Sequence, residues 1–285
     1  MTQTPNVPQG EIAWCPGCGN FGILRALRET LEELKYAPQQ VVLVSGIGQA
    51  AKAPHYLQAN VFNGLHGRSI PVAFAIKATR PELCVIAESG DGCMYGEGGN
   101  HLLHVIRRNP DITVLVHNNQ VYGLTKGQAS PTSEEGFTTK AQPWGNLSRP
   151  LNPLSLAISQ GASFVARAFA GDIQGLKDIL KKAITFRGFA LVDILQPCVT
   201  FNRINTYQWY QERIYYLGED HNPYDQIAAF QKSLEWGERI PLGVFYINPK
   251  PTYEDKIQER VAKRRNILEK EVFTAVLQKE LARFL

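Results

Sequence analysis

Short runs of β-branched and aliphatic residues recur along the chain, each followed by glycine or a polar turn and then by a stretch of helical spacing. The runs at 41–44, 83–87, 112–116, 164–166 and 191–195 are continuous rather than alternating in apolarity, which predicts strands of a parallel sheet covered on both faces. Helices are predicted between them. One covers 22–35, with Leu24, Leu27, Leu31 and Leu34 on one face; a second covers 98–108; a third covers 173–186, started by Asp172 and stopped by Gly188. The expected class is α/β, a doubly wound, mostly parallel sheet.

The segment 141–153, AQPWGNLSRPLNP, has three prolines and no periodicity, so it reads as a connecting loop within the domain. After Cys198 the chain becomes aromatic and polar, and from 254 onward it is strongly charged. There Ile257, Val261, Leu268, Val272 and Val276 step by four or seven, one face of a helix. The expected organisation is an α/β domain over 1–199 and a C-terminal helical extension over 200–285 that packs on the core or on a partner. The basic run 263–265 reads as a solvated face.

Composition narrows the function. With 285 residues, 44% apolar, 20% charged and a net charge of +4, the chain is neither disordered nor basic enough to suggest a nucleic-acid binder. No run approaches the roughly 18 apolar residues of a membrane span, and the first residues lack a secretory leader, so a cytoplasmic location without membrane attachment is expected. Five cysteines, few and odd in number, favour a metal or catalytic role over a disulfide framework.

The most informative constellation is Glu88-Ser-Gly-Asp91-Gly92 after one strand and His117-Asn-Asn119-Gln after the next, with 30 residues from Gly90 to Asn119 inclusive. One helix and one strand fill that interval, so both loops emerge at the carboxyl ends of neighbouring strands, where ligands bind in open sheets. Asp91 and Asn119 offer hard oxygens suited to Mg²⁺, which also takes phosphate oxygens. Gly90 and Gly92 let the backbone approach a diphosphate, and the following helix points its N-terminal amides there. An ordinary Gly-Asp-Gly turn is the plainer reading, and the Asn pair at this spacing argues against it. Gly46-Ile-Gly48-Gln-Ala-Ala51 fits a relaxed dinucleotide pattern, yet the acid expected about 20 residues on is missing; the next is Glu82. Cys15-Pro-Gly-Cys18 ahead of a helix can seat two thiolates on one metal or cluster, and the lack of a second ligand pair disfavours a zinc knuckle.

Gly-Asp-Gly followed about thirty residues later by an Asn pair resembles the thiamine diphosphate fingerprint. Trp14-Cys-Pro-Gly-Cys-Gly19, His66-Gly-Arg-Ser-Ile-Pro-Val72 and Asn119-Gln-Val-Tyr-Gly-Leu-Thr-Lys-Gly-Gln128-Ala-Ser-Pro-Thr132 extend the likeness. Together they resemble the β subunit of 2-oxoacid:ferredoxin oxidoreductases, in order over nearly the whole chain. The resemblance implies thiamine diphosphate held through Mg²⁺ by Asp91, Asn119 and the carbonyl of Val121. Ile47, Gly48, His66, Gly67, Gly90, Gly92, Cys93, Gly123 and Leu124 would contact the cofactor. His66 is also a catalytic candidate, with a satisfied core imidazole as the alternative reading. A [4Fe–4S] cluster on Cys15, Cys18 and the distant Cys198 is implied as well. The implied reaction converts a 2-oxoacid to its acyl-coenzyme A and CO₂ with electrons passed to ferredoxin, or runs in reverse. An α subunit would complete the site in a heterodimer, itself doubled, so this chain alone would be inactive. A non-redox thiamine decarboxylase subunit and a pyruvate-preferring member are the alternatives.

Two positions refine the expectation. Lys126, in Leu-Thr-Lys-Gly, resembles the version of this motif that goes with 2-oxoglutarate or broad specificity, and its ammonium would pair with the substrate's far carboxylate. Gln49 stands where the family usually has a further cluster cysteine. Either Cys93, His55 or the α subunit would then supply the missing ligand, with Cys93 preferred, or the cluster is altered or absent; Cys84 reads as a mid-strand core residue.

Overall fold

The apolar runs pair as neighbours because each is buried on both sides, leaving its backbone groups no partners except adjacent strands. A computed structural model describes residues 12–268 and 278–283. Among them, eight strands form one sheet: β1 (Val41–Ser45), β2 (Asn60–Asn63), β3 (Cys84–Gly90), β4 (Thr113–Asn118), β5 (Phe164–Phe169), β6 (Ala190–Leu195), β7 (Ile214–Tyr216) and β8 (Ile240–Ile247). The spatial order is β2-β1-β3-β4-β6-β5-β8-β7. All pairings are parallel except β5 with β8.

The helices are α1 (Asn20–Glu33), α2 (Ser69–Thr79), α3 (Gly99–Arg108), α4 (Pro153–Ser159), α5 (Ile173–Thr185), α6 (Tyr207–Gln211), α7 (Gln226–Ser233) and α8 (Tyr253–Leu268). They cover both faces. Val41, Leu43, Ile86 and Leu115 turn toward α1 and α5, whereas Val42, Val44, Val85, Ala87, Val114 and Val116 turn toward α2, α3 and α4. This split explains why the strands read as unbroken apolar runs. Among the described residues no helix is long and apolar enough to cross a membrane.

The five predicted strands and three predicted helices all form, with ends shifted by a few residues. Helix α1 begins at Asn20, two residues before the expected start, because the Cys15–Cys18 turn feeds straight into it. Gly22 lies inside α1 where the helix meets the β5–α5 connection; a Cβ there would come 2.3 Å from the Ala170 carbonyl oxygen. Asp172 caps α5 as expected, its carboxylate accepting from the Gly175 N–H at 3.0 Å. Cys84 opens β3 rather than lying mid-strand, at the end of the sheet opposite Gly90.

Strand β2 escapes the apolar pattern because its four residues are all exposed. Beyond residue 200 the chain carries helices, and it also adds β7 and β8 to the sheet. Helix α8 is capped reciprocally by Thr252 and Asp255. Ile257 and Val261 on it are exposed, while Val272 and Val276 of the expected apolar stripe lie outside the described residues.

Asn109 fastens the two parts of the chain. It ends α3 in the left-handed conformation at φ 54° and is fully buried. Its Oδ1 accepts from the Phe189 N–H at 2.9 Å and the Ser163 hydroxyl at 2.7 Å, and its Nδ2 donates to the carbonyls of Lys250 and Pro251. Replacing it leaves several buried groups unpaired. Asn109→Ala is expected to cost about 3 kcal/mol in urea unfolding, of which Asn109→Gly recovers only the backbone part, about 1 kcal/mol. Equal stabilities for Asn109→Gly and the native chain would show that backbone conformation alone matters at this position.

Candidate active site

The register of the sheet assembles the site. Gly90 at the end of β3 pairs with His117 near the end of β4, so Asp91 and Asn119 leave neighbouring strands side by side. A π-helical turn, Gly92–Glu97, follows Asp91 before α3 starts, closed by the Gly98 N–H on the Cys93 carbonyl at 3.0 Å. Such turns displace a helix start and are frequent at functional sites.

Asp91 is almost wholly buried, and its Oδ2 accepts from the hydroxyls of Ser130 at 2.5 Å and Thr132 at 2.6 Å. Burial pushes its carboxyl up to about 6, against the lowering pull of those hydroxyls and the Gly92 N–H. Asn119 folds its side chain back, with Oδ1 accepting from the Val121 N–H at 3.1 Å across a left-handed Gln120. This turn presents Asp91, Asn119 and Val121 to one cleft, walled also by Ile47, Gly48, Gly90, Gly92, Cys93, Gly123, Leu124 and His66. Open space surrounds the Cβ positions of Gly48, Gly90 and Gly123; the nearest neighbour of Gly90 there is the His117 carbonyl oxygen at 3.8 Å, and that of Gly123 the Asn119 Nδ2 at 4.0 Å. A backbone bare on that side admits a phosphate group to close range.

Gly67 does not line the cleft but supports it from behind. Its φ of +70° and its contact with Glu97, 2.5 Å from where a Cβ would sit, exclude a side chain. His66 lies at the rim, with Nδ1 3.0 Å from Glu97 Oε2, within ion-pair distance though without hydrogen-bond geometry. Lys126 is exposed just beyond the cleft-lining Thr125, in the left-handed region at φ 75°.

The cysteines separate into groups. Cys15, Cys18 and Cys198 line a second cavity together with Gln49, Asn119, Gly123 and Gln196. All three are free thiols. Burial pushes the Cys18 thiol up to about 11, opposed by the Asn20 N–H and reinforced by the neighbouring Cys198 and Cys15. Three thiols set around one cavity suit a group that binds them as thiolates. Among the described residues no three His, Cys, Asp or Glu converge on a single ion. A cluster, whose sulfides spread its irons apart, asks for thiolates set around a cavity rather than around a point.

Cys93 does not join them. Its thiol accepts from the Gly67 N–H at 3.1 Å and lies against Gly46, where a Cβ would approach Sγ to 2.4 Å. The expectation of Cys93 as a fourth thiolate thus has no counterpart in the geometry: Cys93 lines the glycine-walled cleft and not the cysteine cavity. His55 is exposed on a 3₁₀ turn, and Cys84 sits beside Tyr36 and Lys77 at the other end of β3.

Sequence reasoning did not single out Ser130 and Thr132 as partners of Asp91, although both stand in the quoted Gln128-Ala-Ser-Pro-Thr132 run. Nor did it single out Tyr122, whose ring packs on Gly92 and whose hydroxyl lies 3.3 Å from Glu97 Oε2. Beneath both cavities, fully buried His117 joins Glu88 and Asn20: Nε2 lies 2.8 Å from Glu88 Oε1 and Nδ1 2.8 Å from Asn20 Oδ1.

A sheet with this cleft at its carboxyl edge matches the family model of thiamine pyrophosphate enzymes, C-terminal TPP binding domain, over residues 41–194. Residues 198–261 match the model of the C-terminal part of the pyruvate ferredoxin oxidoreductase beta subunit. The class is thus a thiamine-pyrophosphate-binding enzyme domain. The chain is 49% identical over 260 residues to subunit beta of 2-oxoacid:ferredoxin oxidoreductase 1 of Aeropyrum pernix, covering 87% of this chain and 81% of that one. It is 49% identical over 262 residues to the 2-oxoacid:ferredoxin oxidoreductase subunit beta of Saccharolobus solfataricus, covering 87% and 86%. A solved 2-oxoglutarate:ferredoxin oxidoreductase from Magnetococcus marinus, with 2-oxoglutarate, coenzyme A and succinyl-CoA bound, superposes with a TM-score of 0.90 at 34% identity over 95% of this chain and 93% of that one. The chain belongs to the beta subunits of the 2-oxoacid:ferredoxin oxidoreductases. That membership sets aside the non-redox decarboxylase.

The buried carboxylate of Glu88 depends on His117 for its one side-chain partner. Glu88→Leu and His117→Phe are each expected to destabilise by about 3–5 kcal/mol, and the double variant by clearly less than their sum. A double-mutant cycle in urea reads the coupling, and strictly additive losses would show that the two act independently.

Proposed function

We propose that this chain holds thiamine diphosphate through Mg²⁺ and a [4Fe–4S] cluster beside it, and that with an α subunit it oxidises 2-oxoglutarate with coenzyme A, delivering electrons to ferredoxin. One observation carries the reading: the glycine-walled cleft and the cysteine cavity share Gln49, Asn119 and Gly123 as a common wall. When bound, the cofactor supplies the carbanion chemistry that releases CO₂ and the electrons that the cluster accepts.

This chain's residues bind and position. Asp91, the Asn119 side chain and the Val121 carbonyl hold Mg²⁺, and the backbone at Gly48, Gly90 and Gly123 admits the diphosphate. Ser130 and Thr132 fix the Asp91 carboxylate so that little reorganisation accompanies binding. His66, at the rim beside Glu97, is placed to meet the substrate side of the cofactor. Lys126, one residue past the cleft wall, is the cation for the second carboxylate of 2-oxoglutarate. The ligands in the Magnetococcus structure's description agree with that substrate class. The rim, where Ile47, Leu65 and Leu124 are exposed, is the surface over which the α subunit shuts the site. A complex of two such heterodimers is the proposed assembly, and the cytoplasm its location.

Because the Asp91 carboxyl stands at about 6, above its ordinary 3.8, protons compete with Mg²⁺ below that value. Mg²⁺-dependent thiamine diphosphate affinity is expected to be level above pH 6 and to fall by about tenfold per pH unit below it. Calorimetric titration checks this; in Asp91→Asn the affinity should be low and its pH slope absent.

The αβ complex, purified without oxygen, tests the reading directly: it should contain iron and thiamine diphosphate and reduce ferredoxin with 2-oxoglutarate and coenzyme A. In it, Lys126→Ala is expected to raise KM for 2-oxoglutarate by about tenfold or more, the worth of one charge-assisted hydrogen bond, and to leave KM for pyruvate or 2-oxobutyrate nearly unchanged. Equal effects on both substrate types would remove the assignment and favour a pyruvate-preferring enzyme.

A further inference from the structure

The cysteine cavity offers three sulfurs, whereas a [4Fe–4S] cube presents four irons, each seeking a protein ligand. Among the described residues the other two cysteines are elsewhere: Cys93 receives the Gly67 N–H in the neighbouring cleft, and Cys84 lies at the far end of β3. The cavity wall does hold further acceptors. Asn119 accepts from the Val121 N–H and is assigned above to Mg²⁺ on the cleft side of the shared wall. Two residues of that wall, Gln49 and Gln196, each bury a side-chain oxygen, Oε1, that has no hydrogen-bond partner among the described residues.

These two amides differ in what else they do. Gln196 turns its Nε2 to Cys18 Sγ at 3.5 Å and to the Pro197 carbonyl at 2.9 Å, so its amide serves as a donor to sulfur, which fixes its oxygen on the other side. Gln49 has its backbone fixed instead, since the Trp14 indole donates to its carbonyl at 2.8 Å. Trp14 immediately precedes Cys15 and is itself held edge-on by Phe21 and Tyr56. The Gln49 loop and the Cys15–Cys18 turn are thereby tied as one wall. An amide oxygen buried without a partner is destabilising, an arrangement that a cation at this wall would offset.

Resting on the reading that this cavity holds an iron–sulfur cluster, we infer that Gln49 Oε1 faces the fourth iron, which therefore has no thiolate. A neutral, hard oxygen binds iron in a sulfide cluster more weakly than thiolate does. One corner of the cluster is then removable. Under a one-electron oxidant such as ferricyanide, [4Fe–4S]²⁺ gives up Fe²⁺ to a chelator and one electron to the oxidant, leaving [3Fe–4S]⁺ on Cys15, Cys18 and Cys198. The missing thiolate also leaves the cluster one negative charge short, which raises its potential.

The test compares the native αβ complex with Gln49→Cys, Gln49→Ala and Gln196→Ala complexes, all prepared without oxygen, by iron content, EPR and redox titration. The native protein should lose one iron in four to ferricyanide and chelator and develop the three-iron EPR signal. Gln49→Cys should keep its iron and titrate at a lower potential, Gln49→Ala should lose the iron about tenfold faster than native or more, and Gln196→Ala, which removes a donor to the Cys18 sulfur, should shift the potential but lose iron more slowly than Gln49→Ala. Equal iron loss in native and Gln49→Ala proteins, or faster loss in Gln196→Ala alone, would overturn the assignment to Gln49. Iron in Gln49→Cys but none in the native complex would overturn it while leaving the three cysteines as cluster ligands. Absence of iron from both would overturn the cluster reading itself.

Discussion

Everything at the functional edge of this sheet is anchored by the buried contact of His117 with Glu88 and Asn20. These residues come from β4, β3 and α1, and each lies next to a piece of the site: Glu88 precedes Asp91, His117 precedes Asn119, and Asn20 follows Cys18. A carboxylate at zero exposure is costly unless a partner is fixed against it. The cost of separating the three groups therefore holds two strand ends and a helix start in one arrangement. The cleft and the cysteine cavity inherit their spacing from it.

Around that anchor, close backbone packing does the shaping. Gly46 and Gly67 bring two loops onto Cys93, and Gly92 lets the Tyr122 ring lie flat against the turn that follows Asp91. Three other glycines of the site are open to the cleft. Gly48, Gly90 and Gly123 leave the cleft wall bare, so the same residue type closes the interior on one side and opens the binding surface on the other. Trp14 completes the arrangement by locking the cysteine turn to the Gln49 loop.

The electrostatics follow from burial more than from net charge. Asp91 and Cys18 are both pushed upward, each by desolvation first, and a cation bound beside either would favour its anionic form. A second buried network behind the cleft, in which Arg167, Tyr95 and Asn118 converge on Asp193, satisfies a carboxylate whose charge adds to the upward push on Asp91. The two acids thus stay distinct: Asp193 is fully enclosed by donors, whereas Asp91 opens on the cleft.

The parallel sheet, its helical covering, the placement of Asp91 and Asn119 at adjacent strand ends, and the family are all legible in the amino-acid sequence. Those features are local or are fixed by strand pitch: apolar runs have a definite period, and one helix plus one strand brings the chain back by a set interval. The features that emerge only on folding depend on loops meeting across that edge. Ser130 and Thr132 reach Asp91 from about forty residues away, β2 is too exposed to show a pattern, β7 lies in the aromatic and polar stretch 200–217, and β8, though an apolar run, joins the sheet antiparallel to β5 from beyond the expected domain. The cysteines show the difference most sharply. Cys15 and Cys18 declare themselves by spacing, but which residues share their cavity rests on how the loops pack, and that packing puts Gln49 on the cysteine wall and Cys93 in the neighbouring cleft.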